Sequence, residues 1–356
     1  MGRDKTKFYK KDLDEQVYDA LFAKLVPGES RYEAKLDGTA QEKIFSFGTF
    51  KTYRRQCGYF VDWIRETYPE CKTLKKARKH LNEWLASLVD KDFSAWTVHT
   101  AKSAVHKLYN ISGNDPDCFA APERRRCDIK RSRIAVENDK NVTVEKWGDL
   151  MDFVRGTGTR RGVLELLTGD DLWTRERMRK EHLRLKEKLD LTVEEIRVSR
   201  ALREALEVFP MYDVFVHHRR DKGGRDRFAP VLPEFAEQVI ERMGAVAAND
   251  RVWEQVHATA DIHSYRAEYA TILYRRHARK IDEIPYDRIN RGSGHRYQSD
   301  VYVCRNDAHG RKLDKRSMRL CARALGHNRI EVVASNYIRD TIEWDGYSTT
   351  ETVSKK

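Results

Sequence analysis

Apolar side chains recur at three- and four-residue steps along most of the chain and at two-residue steps in one short region. Phe50, Tyr53, Cys57, Phe60, Val61 and Ile64 share one face of a helix, because 3.6 residues per turn bring such positions into a single stripe. Leu74, Ala77, Leu81, Trp84, Leu85 and Leu88 repeat the pattern behind Thr73 as an N-cap, and Val98, Ala101, Val105 and Leu108 repeat it behind Ser94. These stripes predict a helical domain over 45–115. Its aromatic residues fall on the buried period and read as core. Lys51, Arg54, Arg55, Lys75, Lys76, Arg78, Lys79, Lys102 and Lys107 fall on its outer faces.

Residues 1–44 are polar, with one helical candidate from Asp12 to Leu25, and read as an arm or tail. The segment 116–142 reads as a basic linker: Pro, Gly and Asp break the helical pattern. Its run Arg124, Arg125, Arg126, Lys130, Arg131 and Arg133 suits a connector lying along a phosphate backbone. Thr143 opens another amphipathic helix, with Val144, Trp147, Leu150, Met151 and Val154 inward, that stops at Gly156-Thr-Gly158. Thr174 to Glu207 is charged and helical, with Thr192 and Glu195 spaced as a capping box. Two-residue alternation appears at Tyr212–His218. The turn Asp221-Lys-Gly-Gly-Arg then leads to a second strand over Arg227–Leu232, which predicts a hairpin with Lys222 at its tip. Pro230 predicts that the second strand is exposed at that point. Helices resume at Glu234–Met243, Ile262–Ala278 and Asp314–Leu325, and Tyr337 falls in a short amphipathic helix after a Leu-Gly-His turn. The fold class is mostly α with a small β-sheet, α+β.

Length and charge narrow the function. The 356 residues suffice for two domains, and 68 Lys+Arg against 56 Asp+Glu give a net charge of +12. That sign favours a polyanionic partner, since neutralised phosphates release counterions. No apolar run approaches the roughly 18 residues of a membrane span, and MGRDKTKFYKKDLDE lacks a signal-peptide apolar core. The chain therefore reads as cytoplasmic, with no membrane partner. Six scattered cysteines without a CxxC pair fit reduced thiols, and Cys304, His309 and His295 match no standard zinc spacing.

Tyr337 lies ten residues after His327. A tyrosine hydroxyl, with a free pKa of about 10, is a weak nucleophile and needs neighbours that place it and stabilise charge on its target. Phosphoryl transfer at a DNA backbone needs cations on the non-bridging oxygens and a proton donor for the leaving oxygen. Arg160, Lys222, His263, Arg266, His327 and Tyr337 supply these types in chain order. Each alone is a common surface or core residue.

In that order and with their flanks, Thr157-Gly-Thr-Arg160, Lys222-Gly-Gly-Arg-Asp-Arg-Phe, His263-Ser-Tyr-Arg266 and Leu325-Gly-His327 leading to Tyr337, the chain resembles the tyrosine recombinase (phage-type integrase) family from about 45 to 340. The resemblance implies a helical core-binding domain (45–115) and a catalytic domain (143–340) that together clamp DNA. It also implies a helical insertion at about 174–207 and a tail (341–356) able to dock on a neighbouring subunit. Tyr337 would attack the scissile phosphate to give a 3′-phosphotyrosyl bond and release a 5′-hydroxyl. Arg160 and Arg266 would grip the non-bridging oxygens, Lys222 would protonate the leaving oxygen, His263 would act as acid/base on the tyrosine, and His327 would donate to the phosphate. No cofactor is implied, because the phosphotyrosyl link conserves bond energy. The implied partners are double-stranded DNA with an att-like site, three further copies in a tetramer passing through a Holliday junction, and accessory factors of a mobile element.

Type IB topoisomerases and telomere resolvases share this active-site logic, and a catalytically inactive DNA-binding regulator is a reading of another class. Arg161 competes with Arg160 for the first arginine position, although Arg160 preserves Thr-Gly-x-Arg. Val163 stands where the family carries an acid, with Glu165 as the substitute, and the His327 to Tyr337 step is one residue long. Attack within or between subunits stays open.

Overall fold

The computed structural model describes residues 11–29, 31–115, 118–125, 142–221, 224–284, 300–304 and 310–339. Lys222, Arg126, Lys130, Arg131, Arg133, His295, His309 and the tail 341–356 lie outside the described residues. The chain divides into two units, Met1–Arg125 and Arg126–Lys356.

The first unit is helical: α1 (Leu13–Phe22), α2 (Arg31–Leu36), α3 (Phe47–Thr67), α4 (Leu74–Ala77), α5 (Leu81–Asp90) and α6 (Ala95–Tyr109). Side-chain caps start the helices, at Thr73 and Ser94 as the sequence reading expects and at Ser46 in addition. Ser46, Thr73 and Ser94 accept from the backbone N–H groups of Thr49, Lys76 and Thr97. Asp12 and Glu15 form a reciprocal capping box on α1. Leu13, Val17 and Leu21 of α1 share one core with Phe60, Ile64, Leu85 and Val105, so the helical unit begins at α1. Phe60 packs on Trp84 with ring centroids 5.2 Å apart. The stripe over 74–88 is interrupted by a 3₁₀ turn at Arg78–His80.

Two of the lysines expected on outer faces are spent on structure. Lys107 is buried and donates to the carbonyls of Ala40, at 3.0 Å, and Gln41. Lys102 donates to the Phe119 carbonyl at 2.6 Å. Each amine thus satisfies backbone carbonyls outside its own helix.

In the second unit, β1 (Leu172–Thr174), β2 (Val214–Asp221) and β3 (Arg225–Pro230) form an antiparallel sheet in that order. Strands β4 (Val301–Val303) and β5 (Lys312–Asp314) form a second, two-stranded one. Around them lie α7 (Val144–Thr157), α8 (Arg161–Leu164), α9 (Arg175–Glu187), α10 (Val193–Val208), α11 (Ala236–Gly244), α12 (Ile262–His277), α13 (Lys315–Ala324) and α14 (Ile330–Asn336). The protein is thus mostly helical with small antiparallel sheets. Helix α12 is buried on nearly every side, from Tyr265 through Tyr269 to Leu273, as a helix packed between α7 and α13 must be. In contrast, Val144 of α7 is exposed.

Helices α9 and α10 occupy the stretch read as an insertion, and they are built into the core. Met178, Leu185, Ala201, Leu202 and Ala205 pack in one cluster with Trp173 and Phe228. Because α10 packs on β3, Pro230 is buried although its strand is at the sheet edge. Its carbonyl accepts the Tyr269 hydroxyl at 2.8 Å. The expected exposure fails because an edge strand tolerates proline equally when a helix covers it. No helix among the described residues is long and apolar enough to cross a membrane.

Candidate active site

Helix α7 ends at Gly158, whose φ of 60° is left-handed. A Cβ there would lie 2.4 Å from the Tyr269 ring, so the turn requires glycine for its backbone and for its space. Past the turn, Thr159 reaches His218 of β2, and Arg160 reaches Asp221 of β2 and the end of α13. Asp261 caps α12 by accepting from Ser264 N, and His263 and Arg266 sit one turn apart on it.

Helix α13 ends in a Schellman turn. His327 N donates to Ala322 O at 2.7 Å and Gly326 N to Arg323 O at 3.0 Å, with Gly326 at φ 70°. The Leu-Gly-His motif is therefore a helix terminus, and its carbonyls anchor three arginines. Arg160 Nη2 (3.2 Å) and Arg266 Nη2 donate to Leu325 O, and Arg227 Nη1 donates to Ala324 O. The negative end of a helix suits that role. Arg266 is 1% exposed and also donates from Nη1 to Gly158 O. Its Nε has no hydrogen-bond partner among the described residues.

Tyr337 follows α14 directly and is buried. Its hydroxyl lies 3.1 Å from His327 Nε2, its ring stacks on His263 with centroids 5.0 Å apart, and the Arg266 guanidinium carbon lies 5.6 Å from its ring centroid. The long His327 to Tyr337 step is absorbed by a helix that starts only at Ile330. Arg160, His263, Arg266, His327 and Tyr337 of one chain thus converge. Lys222 adjoins Asp221 in sequence but lies outside the described residues.

Arg161 turns away from this pocket and donates to the carbonyls of Val256 (3.3 Å), His257 (2.8 Å) and Ala260 (2.9 Å). Val163 is buried in a hydrophobic cluster, and Glu165 is exposed. The carboxylate facing Arg160 is Asp221, whose Oδ1 accepts from Arg160 Nη1 at 2.7 Å and whose Oδ2 accepts from Arg227 Nε at 3.0 Å.

A β-bulge brings Asp221 there. Strict alternation would put His218 and Asp221 on opposite faces of β2. The register shifts between them, and Arg220 adopts a left-handed φ of 46°, so both side chains are buried. Behind Asp221 the network continues. Arg227 Nη2 donates to His218 Nδ1 at 2.5 Å, His218 Nε2 lies 3.4 Å from Thr159 Oγ1, and Thr159 Oγ1 lies 2.6 Å from Thr157 Oγ1. With Arg227 donating to Nδ1, the histidine proton is assigned to Nε2.

The electrostatics follow from burial. Burial first, then the charge of Arg227, holds His218 well below the usual histidine range, so it is neutral. Burial and the neighbouring Arg266 lower His263. Burial and repulsion from Arg266 push Arg227 down to about 9, which leaves it protonated at neutral pH. Arg160, Arg227 and Arg266 gathered around the Asp221 carboxylate give the pocket excess positive charge, which suits an anion whose negative charge grows during reaction.

The charged pair at the start of the linker has local partners. Arg124 lies over the Trp96 ring at 5.1 Å, and Arg125 is 3.8 Å from Glu123.

No family profile and no curated protein matches the chain. Among solved structures, a crystal structure of XerA recombinase matches 91% of this chain and 94% of its own, at 14% identity and a TM-score of 0.26.

Proposed function

We propose that this protein is a tyrosine site-specific recombinase that cuts and rejoins DNA strands through a 3′-phosphotyrosyl intermediate. The observation that carries the reading is the convergence on Tyr337. Its hydroxyl contacts His327, its ring stacks on His263 and lies near the Arg266 guanidinium, and Arg266 Nε is a buried donor with an unfilled hydrogen bond among the described residues. A buried guanidinium N–H without an acceptor is costly. A non-bridging phosphate oxygen would satisfy it, and Arg160 would supply a second cation.

In the reaction, Tyr337 Oη forms a bond to phosphorus as the bond from phosphorus to the 5′-oxygen breaks. The hydroxyl proton passes to a histidine, and His327 is the one already within hydrogen-bond reach. The resemblance assigns that work to His263, so the geometry favours a different division between the two histidines. Lys222, next to Asp221 in sequence, would protonate the leaving 5′-oxygen. One phosphodiester replaces another, so the exchange is close to energy-neutral and needs no ATP. Rejoining to a second duplex calls for four copies on two DNA sites, with a Holliday junction between the two strand exchanges. Because Tyr337 lies against histidines and an arginine of its own chain, the reading favours attack within one subunit. The two units would clamp an att-like site, with accessory factors setting direction.

The test is covalent capture on a nicked duplex carrying the sequence that flanks the gene. The wild-type protein is expected to give a detergent-resistant adduct with a free 5′-hydroxyl. Tyr337→Phe is expected to bind the DNA without capture, and adduct formation by that variant would refute the assignment. Site-independent relaxation of supercoiled plasmid without strand exchange would move the reading to a type IB topoisomerase.

A further inference from the structure

We infer that Asp221, held from behind by Arg227 and His218, is a positioning residue that sets Arg160 for the phosphate. The inference rests on the recombinase reading and goes beyond it, because no residue of this relay belongs to the set of six. All three Arg227 nitrogens have partners: Nε on Asp221, Nη1 on Ala324 O and Nη2 on His218 Nδ1. Three of its five N–H groups are thereby committed within the protein, and the residue is buried at 9% exposure. Its place is to fix the Asp221 carboxylate, one oxygen of which it holds while the other takes Arg160. Arg160 keeps 20% of its side chain exposed, so it is tied at Nη1 and Nη2 and still open to the pocket.

The relay also replaces what the segment after Arg160 lacks. Val163 is buried among apolar side chains and Glu165 is exposed. The carboxylate instead arrives from β2, through a bulge that spends a left-handed Arg220 to turn it inward. Non-glycine residues rarely adopt that conformation, and they do so where the surroundings require it.

The sign of one substitution separates positioning from charge. Asp221→Asn removes a negative charge beside three guanidinium groups. Charge alone would then strengthen phosphate binding and speed cleavage. Loss of position would slow it, because a misplaced charge-stabilising donor forfeits on the order of 100-fold in rate.

The experiment compares wild type, Asp221→Asn and Asp221→Glu on a nicked duplex with either an ordinary scissile phosphate or a neutral methylphosphonate. Asp221→Asn is expected to cleave the ordinary linkage about 100-fold more slowly with DNA affinity unchanged. Asp221→Glu should recover part of the rate, and the deficit should shrink to a few-fold on the methylphosphonate, where little charge needs an arginine. Cleavage at or above the wild-type rate would overturn the inference. So would an equal deficit on both linkages, which is the mark of general structural damage.

A second measurement needs no activity. Phenylglyoxal labelling followed by peptide mass analysis should modify Arg160 several-fold faster in Asp221→Asn than in wild type, with Arg161 unchanged. Unchanged labelling of Arg160 would overturn the inference. Faster labelling in a protein whose wild type forms no adduct would uphold the positioning and count against the recombinase reading alone.

Discussion

Arg160 and Arg161 are consecutive, yet they serve different parts of the second unit. Arg160 donates to Asp221 and to the end of α13, while Arg161 donates to three carbonyls between Val256 and Ala260. The difference follows from Arg160 standing as the extended N-cap of α8 and Arg161 as its first helical residue. Arg160→Ala should fold, since Asp221 keeps Arg227, and should lose about 100-fold or more of cleavage. Arg161→Ala should keep the pocket but leave three carbonyls without a charged donor, for a loss of about 1–3 kcal/mol of stability. Capture assays and urea denaturation on both variants check this. The assignment fails if Arg161→Ala is the one that abolishes capture at full stability.

Gly158 is a second point where one residue serves both fold and pocket. Its carbonyl accepts from Arg266, and its missing Cβ leaves room for Tyr269. Gly158→Ala combines left-handed backbone strain of about 1–2 kcal/mol with overpacking of about 1–3 kcal/mol. A total loss of roughly 2–5 kcal/mol is expected on those grounds. Gly224, at φ 72° with open space where a Cβ would stand, isolates the strain component. If Gly158→Ala is no more destabilised than Gly224→Ala, the close approach to Tyr269 is unimportant.

The helices were legible in the sequence because their stripes and caps are local. Phe60, Trp84 and Val105 fall where 3.6-residue spacing puts them, and Thr73, Ser94 and Thr192 accept the N–H groups their positions predict. The short strands were not: β1, β4 and β5 each have three residues, too few for alternation to show. Asp221 was hidden by its bulge, since counting by twos from His218 sends it to the wrong face. Lys107 was misplaced because its acceptors, Ala40 and Gln41, are remote in sequence. Among the chemically distinctive residues, the arginines and Tyr337 were visible from motif order, whereas the carboxylate that orients Arg160 is a product of tertiary structure.

Buried neutral histidines make stability depend on pH. His218, His263 and His277 in the second unit are all lowered from 6.5, chiefly by burial. Below about 6.5 the unfolded chain binds protons that the folded chain resists, so stability falls as pH falls. Each such histidine contributes a slope of up to about 1.4 kcal/mol per pH unit between its unfolded and folded pKa. Thermal midpoints should therefore drop between pH 7.5 and 5, above the range where most carboxylates titrate. His218→Asn should be less stable at pH 7.5, through loss of its place in the relay, and should lose less on acidification. A wild-type midpoint independent of pH over that range would contradict the burial of these rings as neutral species.

Thr271 ties the nucleophile's segment to α12. Its hydroxyl donates to the carbonyls of Ala267 (2.8 Å) and Tyr337 (3.1 Å) and accepts from Arg339 N at 3.2 Å. A threonine has one hydroxyl proton, so the two carbonyls share it while a lone pair takes the N–H. Arg339 then folds back, donating from Nη2 to Ser264 Oγ at 2.7 Å, so the chain on both sides of Tyr337 is pinned against α12 and α13. Thr271→Val keeps the shape and deletes the hydroxyl, removing its hydrogen bonds to the Tyr337 carbonyl and from the Arg339 N–H at a cost of about 1–3 kcal/mol. Because α14 is a helix of only seven residues packed on α13, the loss should appear as local opening before global unfolding. Amide exchange from Val333 to Arg339 is expected to accelerate by about 10-fold or more, from that free energy, while α12 stays protected. Covalent capture should slow with DNA affinity unchanged, and Thr271→Ser, which keeps the hydroxyl, should restore both. Slowed capture with unchanged exchange at Tyr337 would mean that Thr271 acts on the pocket by some route other than holding the tyrosine in place.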